Sequence, residues 1–105
     1  MHKYQTENLL TLAVEIARAK PKIPAHHIPM TLAKLQRLAV SLHRRYEAAC
    51  NHEWATGPKY EARTERLQMK AVELAGNLGL ALEHQTDCRG WPLVLTVNGI
   101  ERRIG

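Results

Sequence analysis

Apolar residues recur at helical spacing through the first three quarters of the chain and at every second position after that. Between Thr6 and Lys20, Leu9, Ala13, Ile16 and Ala17 share one helical face, which predicts a first helix. Thr6 is placed to cap it by accepting a backbone N–H bond, and Pro21 and Pro24 end it because neither ring can continue the ladder. The segment from Pro21 to Pro29 reads as a stiff connector. A second stripe, Leu32, Leu35, Leu38, Ala39, Leu42, Tyr46, Ala49 and Cys50, predicts a helix from Pro29 or Thr31 to Asn51, about five turns long. A loop with Gly57 follows, and Pro58 suits the first turn of a third helix that keeps Tyr60, Leu67, Ala71, Leu74, Ala75 and Leu78 together. Gly76 weakens the last turn of that helix by roughly 1 kcal/mol relative to Ala. Gly79 is its expected left-handed stop.

Beyond Gly79 the period falls to two. Leu80, Leu82 and His84 alternate with Ala81, Glu83 and Gln85, and Leu93, Leu95 and Val97 alternate with Val94 and Thr96. A turn over Asp87 to Gly90 joins these two strands. Asn98-Gly99 is the pair that tolerates positive φ at both central positions of a type I′ turn, so a third strand, Ile100 to Ile104, folds back. Pairing Val97 with Ile100 sets Leu95 opposite Arg102 and Leu93 opposite Ile104, which gives one face five apolar residues and one Arg. The predicted fold is α+β: three helices, the second and third a long antiparallel pair, then a three-stranded antiparallel β-meander covering them.

A chain of 105 residues and 11.9 kDa is expected to form a single domain, residues 1–105, with one modest core. With 45% hydrophobic and 24% charged residues it is too apolar to stay disordered. Aromatics are 5% with no Phe, so Leu, Ala, Val, Ile and Met must fill the core, a set that suits helix packing. Two cysteines are too few for a disulfide framework, which points to a reducing cytoplasm. Glu15 and Arg18 interrupt the first apolar positions before an export-signal run develops, and no stretch of 18 apolar residues is present, so no membrane contact is expected.

The helix end Tyr46-Glu47-Ala48-Ala49-Cys50-Asn51, the later Leu78-Gly79-Leu80 and the turn Asp87-Cys88-Arg89-Gly90 before an apolar strand together resemble small uncharacterised proteins of tailed phages and their prophages. The resemblance covers roughly Leu38 to Val97, and its motifs are short. Pro is common in that family where this chain has Cys88, so no shared role for the thiol follows. The resemblance implies a phage origin and a device aimed at host machinery, of the anti-CRISPR or other anti-defence kind.

Charge placement carries the strongest functional signal. The formal charge is +5, with a pI near 9.6. From Ile16 to Tyr46 there is no acidic residue, while Arg18, Lys20, Lys22, Lys34, Arg37, Arg44 and Arg45 are all basic. On the second helix Lys34, Arg37, Ser41, Arg44 and Arg45 share the side opposite the Leu stripe; on the third, Lys59, Arg63, Arg66 and Lys70 repeat at four, three and four. Such rows either neutralise phosphates or form a solvated polar face. The expected function is non-enzymatic: the basic faces dock on a bacterial host protein or ribonucleoprotein complex and inhibit it. The alternative is a stand-alone nucleic-acid-binding or regulatory protein.

Other residues have weaker claims. Cys50, His52, His84 and Cys88 have the composition of a Cys2His2 zinc site, but their spacing matches no recurring zinc arrangement, and Cys50 is expected instead to be a small core residue. No metal or cofactor is expected. Cys50 and His52 would diverge on a helix, and no phosphate loop, HExxH or GxSxG is present, so no catalytic residue is assigned. Glu61 and Glu65 share a helical face but sit among Arg and Lys. Trp54 and Trp91 flank turns, where a Trp either anchors an interface or plugs the end of a Phe-free core.

Overall fold

The longest apolar stripe becomes the longest element. In a computed structural model that describes residues 4–19, 21–84 and 92–104, with side chains from Leu10 onward, α2 runs from Ile28 to Asn51 after a 3-10 turn at Ala25–His27. Its buried residues are Ile28, Leu32, Leu35, Ala39, Leu42 and Tyr46, spaced four, three, four, three and four. That spacing keeps one stripe inward along a rod of about 36 Å. Pro29 falls in the first turn, where a missing N–H costs no hydrogen bond. Helix α1 (Tyr4–Arg18) and helix α3 (Pro58–Asn77) pack on α2, and α3 runs antiparallel to it.

Helix α3 stops where the glycine allows. Gly79 has φ 71°, the Leu80 N–H donates to the Ala75 carbonyl at 3.0 Å, and the Gly79 N–H donates to Gly76 at 3.0 Å. The two bonds form a left-handed cap that satisfies the last carbonyls and turns the chain into the sheet. Strands β1 (Ala81–His84), β2 (Leu93–Val97) and β3 (Ile100–Ile104) form an antiparallel sheet in the order β1-β2-β3. Val97 pairs with Ile100, Leu95 with Arg102 and Leu93 with Ile104, the predicted register, and Asn98 (φ 52°) and Gly99 (φ 80°) make the predicted turn. Leu93, Leu95, Val97 and Ile104 join Leu12, Ile16, the α2 stripe, Ala71, Leu74, Ala75 and Leu78 in one hydrophobic cluster. Arg102, the one charge on that sheet face, meets Glu15 of α1: Nε and Nη2 donate to the two carboxylate oxygens, with Nε at 3.2 Å. The forked pairing lets a guanidinium sit at the edge of an apolar interface.

Several expectations need correction. Helix α1 begins at Tyr4, so Thr6 lies inside it rather than at its cap, and the buried pair is Leu12 and Ile16, with Ala17 exposed. The helix is turned so that Glu15 faces Arg102, which centres its inner face on Leu12 and Ile16. Ala49 and Cys50 are exposed because α2 outruns the core. Ile100 is also exposed, at the hairpin tip, while Val94 on the other sheet face is buried. The Leu9 side chain, Lys20, the Asp87 to Gly90 turn with Cys88, and Trp91 lie outside the described residues.

Two predictions follow from this fold. Replacing Asn98 by Ala and Gly99 by Val forces residues that resist positive φ into the turn, at roughly 1–2 kcal/mol per position. Urea unfolding will show a lower midpoint, and an unchanged midpoint refutes the turn. The second concerns His84 on β1, whose two ring nitrogens are buried with no hydrogen-bond partner. Burial lowers its pKa below 6.5, and the Gln68 backbone carbonyl nearby, short of hydrogen-bond geometry, offsets only part of that. The folded state therefore resists a proton that the unfolded state accepts: stability is fully present above the unfolded pKa and is lost as pH falls through the folded value. Urea midpoints at pH ~7.5 and ~5 will differ less for His84→Leu than for the parent chain, because the substitution removes this proton uptake. Equal differences would refute the assignment.

Candidate nucleic-acid interface

The two basic rows depend on helical periodicity for their straightness and on the antiparallel pairing of α2 and α3 for their meeting. Along α2, Lys34, Arg37, Ser41 and Arg44 are all exposed; along α3, so are Lys59, Arg63, Arg66 and Lys70. Lys34, Arg37 and Ser41 from α2 and Lys70 from α3 line one groove between the helices, of about 260 Å³, floored by Leu38 and Leu74. Because Lys70 shares a stripe with Lys59, Arg63 and Arg66, the convergence at this groove puts both rows on the same side of the helix pair.

Among the described residues, Lys34, Arg37, Arg44, Lys59, Arg63 and Arg66 form no ion pair. Lys70 approaches Glu73 at 3.8 Å, with both side chains largely in solvent, where such a contact is weak. Glu47 reaches back along α2 to His43 at 3.3 Å. Glu61 and Glu65 line a second groove of about 580 Å³ on the other side of the pair, together with Tyr46, Cys50 and Gln68. Glu61 and Glu65 thus lie away from the basic rows, while Glu73 sits beside Lys70 and Arg45 lines the second groove with the two carboxylates. The α3 row spans about 16 Å, the rise of roughly five base pairs of duplex.

Arg45 belongs to the scaffold. Its Nε donates to the Thr64 hydroxyl at 2.7 Å and its Nη2 to the Tyr60 carbonyl at 2.9 Å, while the guanidinium lies 3.9 Å from the centre of the Tyr60 ring. The Tyr60 hydroxyl donates to the Arg45 carbonyl at 3.0 Å, closing the network, and the Thr64 hydroxyl donates to Tyr60. One turn further into the core, Gln68 donates to the Tyr46 hydroxyl at 2.8 Å, and burial raises the pKa of that phenol despite this bond. Sequence periodicity groups Arg45 with the basic row but says nothing of its partners, which lie 15 and 19 positions away on another helix.

Trp54 does not plug the core. It is 70% exposed in the loop between α2 and α3, with its ring stacked on His52 (5.4 Å between centres, 16° between planes) and in a T-shaped arrangement with Tyr60 (6.1 Å, 81°). Cys50 is exposed beside the second groove, contrary to its reading as a core residue. His52 faces Trp54, and His84 lies on β1. Among the described residues no group of three or more His, Cys, Asp or Glu is placed to hold a metal. Among the described residues no helix is long and apolar enough to cross a membrane.

Comparison with family models, curated proteins and solved structures finds no match.

The contrast between Arg44 and Arg45 is measurable. Arg45→Ala removes two charge-assisted hydrogen bonds and a cation–π contact and will lower unfolding free energy by about 1–3 kcal/mol. Arg44→Ala, one position away in solvent, will stay within about 0.5 kcal/mol of the parent. Equal losses in denaturant titrations would refute the division of roles.

Proposed function

We propose that this chain is a non-enzymatic binding protein that acts by occupancy, laying the cationic side of the α2–α3 pair along the phosphates of a nucleic acid. The observation that carries this reading is the groove where Lys34, Arg37 and Lys70 converge with no carboxylate in its lining, continued toward the α2–α3 loop by the exposed Arg44 of α2 and Arg66, Arg63 and Lys59 of α3. Two packed helices fix the backbone from which these exposed cations reach a polyanion. They release counterions from it on contact. Leu38 and Leu74 at the groove floor keep the long Lys and Arg stems on an apolar bed with their heads in solvent. The resemblance to tailed-phage proteins suggests the setting: nucleic acid held by a bacterial host complex, whose work is blocked when the surface is covered. Nothing in this role requires a metal or cofactor.

Fluorescence anisotropy with labelled DNA and RNA tests the reading. If about four phosphates are neutralised, affinity for duplex DNA will fall roughly 100-fold between about 50 and 200 mM salt. Arg37→Glu with Arg44→Glu will weaken binding at least about tenfold and leave stability nearly unchanged, since both side chains stand in solvent. Glu61→Gln with Glu65→Gln, on the other side of the pair, will not weaken it. Absence of binding to any DNA or RNA at low salt would overturn the reading.

A further inference from the structure

An exposed tryptophan is ordinarily free to turn, and this one is held. One face of Trp54 lies on the His52 ring, and the indole meets the Tyr60 ring at 81°. Tyr60 in turn is fixed from two directions, by the Arg45 guanidinium over its ring and by its own hydroxyl bond to the Arg45 carbonyl. The remainder of the indole is open, as its 70% exposure requires. A flat, preordered aromatic surface with one covered face and one free face is what a nucleobase stacks on, and every base has such a π-face to offer.

Its position adds a second constraint. Trp54 touches Tyr60, in the first turn of α3, where Lys59 opens the row that continues through Arg63, Arg66 and Lys70. The stacking surface therefore stands at the end of the helix pair where the line of cations begins, beside Tyr60, which also lines the second groove. A strand whose phosphates follow that line brings its next base to the indole. A paired base in a duplex has both faces covered by its neighbours and cannot take the place without being unstacked, at a cost of a few kcal/mol.

We propose that Trp54 is a stacking platform for an unpaired nucleobase, so that the cationic side of the helix pair prefers single-stranded nucleic acid. The proposal rests on the phosphate-binding reading above and adds the class of strand it selects. His52 backs the platform, Tyr60 and Arg45 hold it, and Lys59 to Lys70 track the backbone.

Trp54 emission reports the contact directly. The chain has two tryptophans, so titrations are made in a Trp91→Phe background. Oligothymidylate of about 12 nucleotides will quench the indole, while an abasic deoxyribose-phosphate oligomer of the same length will bind with a similar salt slope and leave emission unchanged. Trp54→Ala will lower affinity for oligothymidylate about tenfold and leave affinity for the abasic oligomer alone; Trp54→Phe will recover most of the loss. If both oligomers bind equally and Trp54→Ala changes neither, the platform is refuted and phosphate binding stands. If neither oligomer binds at low salt, phosphate binding is refuted and the platform with it. Circular dichroism melts of the Trp54 variants will match the parent, and the quenching measured with Trp54 intact does not depend on any variant at that position.

Discussion

Burial of one apolar stripe on α2 is the constraint on which the other elements depend. Ile28, Leu32, Leu35, Ala39, Leu42 and Tyr46 are inward along nearly the whole helix, and α1, α3 and the sheet all contribute to the cluster they form. A helix of this length has little stability alone in water and persists because its neighbours remove that stripe from solvent. In a chain without Phe the contacts are made mostly by Leu, Ile and Ala, with Tyr46 the one aromatic in the cluster among the described residues. The opposite side of α2 is left free of packing demands. That freedom is what permits four consecutive exposed polar positions, three of them cationic, at the same helical repeat.

Polar contacts then set how the pieces sit on that stripe. Arg45, Tyr60 and Thr64 tie α2 to α3 near the loop that joins them, with Gln68 and Tyr46 one turn deeper. Glu15 and Arg102 tie α1 to β3. Hydrophobic burial is tolerant of small slips along a helix, whereas these directional bonds are satisfied at one offset. The same offset that closes the Arg45 network brings Lys70 beside Lys34 and Arg37. Structural register and surface chemistry are therefore one geometric fact.

The loop between α2 and α3 shows how an exposed feature can be ordered without burial. Ring contacts run from His52 through Trp54 to Tyr60, and Arg45 closes the series from α2. Each member is anchored to a helix end or to the next ring, so little conformational freedom remains to be lost when a ligand arrives.

The order of elements, the long second helix, the glycine stop at Gly79 and the sheet register were legible in the sequence because each follows from local rules. Helical and alternating periods separate helix from strand, and Asn98-Gly99 admits a turn that fixes every cross-strand pair after it. The straightness of each basic row was legible for the same reason. Periodicity cannot say which helix faces which, so the exposure of Cys50 and Trp54, the pairing of Glu15 with Arg102 and the withdrawal of Arg45 into the scaffold were decided only by tertiary structure. The meeting of Lys34, Arg37 and Lys70 at one groove belongs with them: it joins residues more than thirty positions apart through the offset of two helices, and no pattern within either helix encodes that offset.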